Sequence, residues 1–186
     1  MKNKNLTICI SGTPSPAGTC GVDALEVART LGREMAERKI IVTATSTTGF
    51  PLWTALGATG EGGTAIAFSP AASEREHMTV HKLPLDGFTM MVYTGFGPTG
   101  AGILAMRSSD AVIFGCGGMT TVLETTTAIY ENKPIGILEG SWKTDEVIRE
   151  LLNEHYPDYE NIVVDSDPRR LLDQLAKKVR MQKDTA

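Results

Sequence analysis

The sequence predicts an α/β fold of three layers, in which a mostly parallel sheet of about seven strands has helices on both faces. Short apolar runs rich in β-branched residues recur along the chain. Each is followed by a Gly/Ser/Thr-rich stretch and then by a segment whose apolar residues keep helical spacing. Two of the runs, AVIF and IGIL, are apolar at every position, as expected of strands that are covered on both faces. This alternation predicts βαβ units with parallel pairing.

The first half of the chain begins with three strands and two helices. Their predicted order is strand 6–10, helix 20–38, strand 40–43, helix 50–58 and strand 64–68. The segment from Ser69 to Asp86 then departs from the βαβ rhythm. Ser73 lies three residues before Glu76, which is a capping-box spacing for a short helix that Pro84 would end. We expect this segment to be an excursion over the site.

The second half returns to the alternation. Its predicted order is strand 88–93, a short helix through 106, strand 111–114, helix 122–132, strand 135–138, helix 144–152, strand 162–164 and a final helix. Thr144 is expected to cap the sixth helix, and Asp167-Pro168 has the residue types preferred at a helix start. Together these elements predict a Rossmann-like three-layer sandwich.

Composition and charge limit the classes of function. The chain is 41% hydrophobic and 22% charged with a formal net charge of -4, which is typical of one globular domain spanning residues 1–186. We find no basic stripe for nucleic acid, no transmembrane-length apolar stretch and no signal-peptide pattern, so we expect a cytoplasmic protein without nucleic-acid or membrane partners. Cys9, Cys20 and Cys116 fit neither a disulfide framework nor a metal clip and are expected to be reduced thiols.

Three unusual loops follow predicted strands, at residues 12–18, 43–49 and 115–121. The carboxyl ends of parallel strands face a crevice where helix N-termini attract anions. Gly12 opens the first of these loops. The second loop offers hydroxyls for phosphate or ribose, although such runs also serve as linkers and caps. Its candidate binding residues are Thr45, Ser46, Thr47 and Gly49.

The third loop, GCGGMTT, is the strongest candidate for a phosphate cradle. Gly117 and Gly118 allow a ligand to approach the backbone closely, and the following helix would offer free amides and hydroxyls at Met119, Thr120 and Thr121. A tight strand-to-helix turn is an equally ordinary interpretation of a lone Gly pair.

Two further sets of side chains have alternative interpretations. Glu124 lies one turn inside the predicted helix, where a carboxylate could bind a ribose hydroxyl, stabilise positive charge on a sugar or simply favour the helix N-terminus. His77 and His81 have the spacing of a shared helical face, but a third metal ligand is not evident. A solvated helix is therefore expected, and no metal site is predicted.

The segment GCGGMTTVLE resembles the PGGxGTxxE motif of the LOG (Lonely Guy) proteins, formerly mislabelled lysine decarboxylases. RSSDAVIFGCGGMTTVLETTTAIYENKPIGIL and TGFPLWTALGATGEGGTAIAFSP resemble further sections of that family, so the resemblance covers about residues 5–140. It implies a Rossmann-like fold, phosphate binding at Gly117, Gly118 and Thr121, and a catalytic role for Glu124. It also implies a homodimer or higher homo-oligomer, with candidate contacts at Val122, Leu123, Ile129 and Tyr130.

The sequence departs from the family pattern at four positions. Thr120 stands where the family has its last glycine, and Cys116 stands where it has proline. Ala101 and Gly102 stand where members carry an Arg-Asn pair, and in the LOG enzymes that arginine acts on the ligand together with the glutamate. Without it a ligand loses a bidentate cation, so this departure favours binding over hydrolysis and leaves the hydrolase as an alternative.

Three functions therefore follow as hypotheses. The leading one is binding of a nucleotide or another phosphate-bearing small molecule, including a molybdopterin-type ligand, with no cofactor required. The short form of the superfamily is also similar to molybdenum cofactor carriers, so carrying a molybdenum cofactor is an alternative role. The second hypothesis is a nucleoside 5'-monophosphate phosphoribohydrolase of the cytokinin-activating type that uses Glu124. The third is a structural or regulatory subunit with an empty pocket.

Overall fold

The structure is a computed structural model that describes residues 5–13 and 20–185. The strands of the described residues are β1 (Thr7–Ser11), β2 (Ile41–Thr45), β3 (Ala65–Ser69), β4 (Met90–Tyr93), β5 (Ala111–Phe114), β6 (Ile135–Leu138) and β7 (Ile162–Asp165). The helices are α1 (Val22–Glu37), α2 (Gly49–Gly60), α3 (Glu74–Thr79), α4 (Gly97–Arg107), α5 (Met119–Tyr130), α6 (Thr144–His155) and α7 (Pro168–Thr185).

The strands form one seven-stranded sheet in the order β4-β3-β2-β1-β5-β6-β7. Every neighbouring pair is parallel, and the register runs from Thr7 opposite Ile41 to Leu138 opposite Asp165. The two fully apolar runs, β5 and β6, are buried at every position. The predicted α/β sandwich is confirmed.

Helices cover both faces of the sheet and create two apolar cores. On one face α1, α2 and α7 pack against the strands through residues such as Leu31, Phe50 and Leu171. On the other face α4, α5 and α6 contribute residues such as Met106, Ala128 and Ile148. Every one of these six side chains is buried. Burial on both faces explains why β5 and β6 are apolar at every position.

Two predicted helix starts have different outcomes. Asp167 caps α7 as expected, because its Oδ1 accepts a hydrogen bond from the Arg169 amide at 2.8 Å. The predicted cap at Thr144 is wrong. Lys143 occupies the N-cap position of α6, and the Thr144 hydroxyl instead bonds to the backbone of Gly117.

The excursion between β3 and β4 contains the predicted short helix. The Ser73 hydroxyl accepts from the Glu76 amide at 3.2 Å, which confirms the cap. The expectation of a solvated helix is wrong for His77, whose side chain is fully buried. Its Nδ1 lies 2.9 Å from Ser69 Oγ and its Nε2 lies 3.1 Å from the carbonyl oxygen of Pro84. Hydrogen bonds of the His77 side chain therefore hold the excursion against the end of β3.

The cysteines differ from the sequence prediction. Cys20 and Cys116 are joined as a disulfide, with Cα atoms 5.8 Å apart and a sequence separation of 96 residues. The expectation of three reduced thiols is thus wrong for this pair, while Cys9 is free and buried. The pairing arises because the neighbouring strands β1 and β5 end side by side. The loops that leave those strands bring two distant cysteines together.

Candidate functional site

The sheet has a topological switch point between β1 and β5. From β1 the strand order continues through β2 and β3 to β4, whereas β5 lies on the other side of β1. The loops after β1 and β5 therefore diverge at the carboxyl edge of the sheet and leave a crevice, which is where open α/β sheets bind ligands.

Backbone hydrogen bonds join the loops around this crevice. The Thr13 amide donates to the carbonyl oxygen of Cys116 at 2.7 Å, and the Phe50 amide donates to the carbonyl oxygen of Thr13 at 3.1 Å. The ends of β1, β2 and β5 are thus held in one arrangement. Of the predicted first loop, residues 14–18 lie outside the described residues, and only Gly12 and Thr13 can be placed.

A cavity of about 90 Å³ opens at the switch point. Five predicted site residues line it, namely Gly12, Thr45, Thr47, Thr120 and Glu124. The other described lining residues are Cys9, Ile10, Ser11, Pro51 and Pro98. This volume is small beside the roughly 300–1,000 Å³ of pockets that enclose a drug-sized ligand, so the cavity fits part of a small ligand rather than the whole of one.

Sequence reasoning missed Ser11 and Pro98. Ser11 is the last residue of β1, where a side chain faces the crevice, so the position directly after the run ICI was the available signal. Pro98 comes from the start of α4 in the segment TGFGPTGAG, which was predicted as a loop without a binding role. Each belongs to an element whose end reaches the carboxyl edge of the sheet.

Glu124 projects from the second turn of α5 into the cavity wall. Its Oε2 accepts a short hydrogen bond from the Ser11 hydroxyl. Burial raises the pKa of the Glu124 carboxyl, and the bond from Ser11 opposes this only in part. None of the described residues that line the cavity is Lys, Arg or His. The carboxyl is therefore held by a hydroxyl, with no cation among these lining residues.

The Gly117 and Gly118 amides are not free. The Gly117 amide donates to Thr144 Oγ1 at 2.7 Å, and the same hydroxyl donates to the carbonyl oxygen of Gly117 at 2.9 Å. The Gly118 amide donates to Thr121 Oγ1 at 3.3 Å, and Thr121 itself is buried. A Cβ on Gly117 would lie 2.1 Å from Thr121 Oγ1, so glycine is required there for close packing. The two glycines therefore allow close packing of the loop, and their own amides are engaged within the protein.

The first turn of α5 still offers donors. The amides of Met119, Thr120 and Thr121 precede any possible acceptor within the helix. Gly118, Met119 and Thr120 are exposed beside the cavity mouth. The exposed amides available to an anion therefore lie one and two residues further along the chain than Gly118, at Met119 and Thr120.

The second loop divides between the cavity and the interior. Thr45 and Thr47 line the cavity, whereas Ser46 and Gly49 are buried and do not line it. The Ser46 hydroxyl is 1% exposed and has no hydrogen-bond partner in the described part of the chain. Gly49 has a φ of 66°, a conformation that favours glycine, at the turn into α2.

Arg107 does not replace the family arginine in this arrangement. It lies at the far end of α4, where its Nε is 2.9 Å from Glu131 Oε1. Ala101 is fully buried in α4, and the neighbouring Gly102 lies directly against Glu124.

A comparison with protein families matches residues 5–172 to the model described as the SLOG cluster4 family. The chain belongs to the SLOG cluster4 family. This confirms the resemblance to the LOG-like superfamily that the GCGGMTTVLE segment indicated. No curated protein sequence matches this SLOG cluster4 chain.

Solved structures similar to this SLOG cluster4 protein include two molybdenum cofactor proteins. The molybdenum cofactor binding protein of Rippkaea orientalis is 21% identical with a TM-score of 0.77, and the match covers 96% of this chain and 99% of that one. The molybdenum cofactor carrier protein of Chlamydomonas reinhardtii is 20% identical with a TM-score of 0.73, and the match covers 94% and 99%. At these identities the likeness shows the fold alone.

A third similar structure is that of DNA processing protein A of Helicobacter pylori, a protein that binds single-stranded DNA. That protein is 17% identical with a TM-score of 0.66, and the match covers 92% of this chain and 80% of that one. Among the described helices none is both long enough and apolar enough to cross a membrane. Within the same residues no group of three His, Cys, Asp or Glu side chains could hold a metal ion.

Proposed function

We propose that this SLOG cluster4 protein binds a phosphate-bearing small molecule, a nucleotide or a molybdopterin-type compound, at the switch point of its sheet, without hydrolysing it. The observation that carries this proposal is the cavity where Ser11, Thr45, Thr47 and Glu124 meet the first turn of α5. Hydroxyls and a carboxyl line part of the interior, beside apolar residues such as Ile10 and Pro51, and the first amides of α5 lie near the mouth. This arrangement suits a ligand with a polar uncharged part and an anionic part.

The anionic part fits the N-terminus of α5. The amides of Met119, Thr120 and Thr121 have no acceptor within the helix, and the helix dipole places partial positive charge beside them. Because the Gly117 and Gly118 amides are engaged by Thr144 and Thr121, phosphate would contact the amides that follow them. The phosphate then lies outside the small cavity.

Hydrolysis is disfavoured by the environment of Glu124. A carboxylate stabilises an oxocarbenium-like transition state through its negative charge. Burial raises the pKa of the Glu124 carboxyl, which opposes ionisation, and Ser11 occupies one of its oxygens. Position 101 is alanine and supplies no cation. Among the described residues that line the cavity, none is Lys, Arg or His. Binding without turnover is the function that this chemistry supports.

The nucleotide and the molybdopterin-type ligand are each favoured by a different observation. Resemblance to the LOG motif favours a nucleoside monophosphate, while two similar structures of matching length are of molybdenum cofactor proteins. We favour a small molecule over nucleic acid because the chain carries a net charge of -4 and the described cavity lining has no basic residue.

The test is to identify what the purified protein holds and whether it turns over AMP. Protein is denatured, and the released solutes are analysed by mass spectrometry and pterin fluorescence. Separately, AMP binding is measured by calorimetry and free adenine by chromatography. We expect AMP or pterin binding without adenine. Adenine release that Glu124→Ala abolishes would replace this proposal with phosphoribohydrolase activity, and no bound solute of either class would refute binding.

A matched pair of threonines on α5 controls this experiment. Thr120 lines the cavity, whereas the Thr126 hydroxyl bonds to the carbonyl oxygen of Leu123 on the exposed side of the same helix. Thr120→Val should weaken ligand binding, and Thr126→Val should not. Equal effects would mean that the ligand does not lie in the cavity.

We also propose that the protein forms a homodimer or higher homo-oligomer through α5. Of the residues predicted for this contact, Leu123 is 44% exposed and Tyr130 is 91% exposed. Ile129 is buried in the protein core and does not belong to this surface. Sedimentation of wild type and Tyr130→Glu at micromolar concentration tests the idea, and a monomeric wild type would refute it.

A further inference from the structure

Glu124 occupies a space that exists only because Gly102 has no side chain. Gly102 lies in α4, and a Cβ built on it would be 2.3 Å from Glu124 Oε1 and 3.2 Å from Thr45 Oγ1. The first of these distances is shorter than any real contact between such atoms. The carboxyl therefore leans against the bare backbone of α4 while its other oxygen, Oε2, is bonded to Ser11.

We propose that Gly102 is the positioning residue of this site, because it lets Glu124 withdraw against α4 and leaves the cavity to an uncharged, hydroxyl- or amide-bearing part of the ligand. This inference rests on the proposed function, since it concerns the same cavity. The withdrawn carboxyl and the hydroxyls of Ser11, Thr45 and Thr47 then form the polar lining that this part of the ligand contacts.

The geometry separates an effect on the site from an effect on the fold. The atom that a new Cβ would meet is the end of a flexible side chain, so it can move without displacing backbone. Alanine is also a better helix former than glycine in a helix interior. Gly102→Ala should therefore leave the fold intact, push Oε1 away from α4, break the bond from Ser11 and move the carboxylate into the cavity.

The test follows the Glu124 carboxyl directly, by carbon NMR titration of protein labelled in its glutamate side chains, with Glu124→Gln to assign the signal. Burial raises the pKa of this carboxyl in the wild type. In Gly102→Ala the carboxyl leaves its buried position, which lowers its pKa, and loses the Ser11 bond, which raises it. Because burial is the larger of the two causes, the pKa should fall towards the ordinary value. Gly60→Ala is the matched control, because no heavy atom lies within 4 Å of a Cβ there.

AMP is the ligand probe, and a shorter acid provides the rescue. Gly102→Ala should weaken AMP binding about tenfold, the loss expected for one hydrogen bond. Adding Glu124→Asp, which retracts the carboxylate by one methylene, should restore most of that affinity. Should Gly102→Ala fail to fold, recovery of folding in the double variant would identify the same clash.

The results distinguish the two proposals. An unchanged carboxyl pKa in Gly102→Ala would overturn the role of Gly102, whatever AMP does. A lowered pKa with undiminished AMP affinity would overturn its influence on the ligand. Absence of AMP binding in the wild type would count against the proposed function alone, because the carboxyl titration needs no ligand.

Discussion

Replacing Met119 with proline tests whether the first turn of α5 binds the anion. Met119 is the first residue of α5, and its amide has no acceptor within the helix. Proline at this position removes the N–H and is otherwise compatible with a helix start. The preceding Gly118 has φ -144° and ψ -149°, outside the α region that a following proline disfavours. The substitution therefore deletes one donor and preserves the helix.

The expected loss follows from the kind of bond deleted. A hydrogen bond from an amide to a charged group contributes about 1.5–3 kcal/mol, which corresponds to a roughly 10- to 150-fold weaker affinity. Met119→Ala is the matched control because it keeps the N–H and truncates a side chain that is 83% exposed. Its affinity should equal that of the wild type within about threefold, since removing such a side chain costs little.

Calorimetric titration with AMP, and with adenosine as the ligand that lacks phosphate, provides the assay. AMP affinity should fall in Met119→Pro, and adenosine affinity should stay unchanged in every variant. Unfolding midpoints of the two variants should agree, because the deleted amide makes no bond within the helix. Equal AMP affinity in Met119→Pro and Met119→Ala, with intact folding, would refute anion binding by this amide.

Three other predictions concern the disulfide, the buried imidazole and the carboxyl of the site. Reducing the bond between Cys20 and Cys116, or introducing Cys20→Ser, should lower the free energy of unfolding by up to about 4–5 kcal/mol, because the crosslink spans 96 residues. Guanidinium unfolding with and without reductant measures this, and identical curves would contradict the pairing. His77→Ala should cost about 2–4 kcal/mol in urea unfolding, since it removes two hydrogen bonds, including that with Ser69, and leaves a cavity. A cost below about 0.5 kcal/mol, typical of surface positions, would contradict its burial. The raised pKa of Glu124 means that the folded state holds this proton more tightly than the unfolded state, so its contribution to stability should decline as pH rises above the ordinary value of 4.5. Urea unfolding between pH 4 and 8 should therefore find Glu124→Gln gaining stability relative to wild type, and a constant difference would contradict the burial.

The bounds of the central strands could be predicted from sequence because their apolar runs are continuous and end abruptly. β5 and β6 have the predicted bounds of 111–114 and 135–138, flanked by Gly115 and Glu139. The start of α5 was placed three residues too late, because the turn from Met119 to Thr121 has no apolar periodicity before Val122. A helix N-terminus is defined by backbone geometry that hydrophobic spacing does not report.

The candidate site could be predicted by residue type but not by partner. Thr45 and Thr47 were expected at the crevice because they follow a predicted strand, and Thr120 and Glu124 because they lie at the start of the helix that follows another. All four line the cavity. The hydrogen bond from the Gly117 amide to Thr144 could not be predicted, because Thr144 lies 27 residues further along the chain. Its hydroxyl arrives through the loop after β6, and only the order of strands in space brings the two together.

The departures from the LOG pattern at positions 101 and 102 have a common physical explanation. Removing an arginine that pairs with a glutamate leaves a carboxylate without a counter-charge, which is costly when that carboxylate is also buried. In this chain the carboxyl of Glu124 has a raised pKa, accepts a hydrogen bond from Ser11 and lies in the space above Gly102. The bond from Ser11 lowers the cost of lacking the cation, and the raised pKa keeps the carboxyl protonated to a higher pH. Arginine restored at position 101 alone would have to replace a fully buried alanine and would meet a carboxyl already turned towards α4, so the two positions act as one unit.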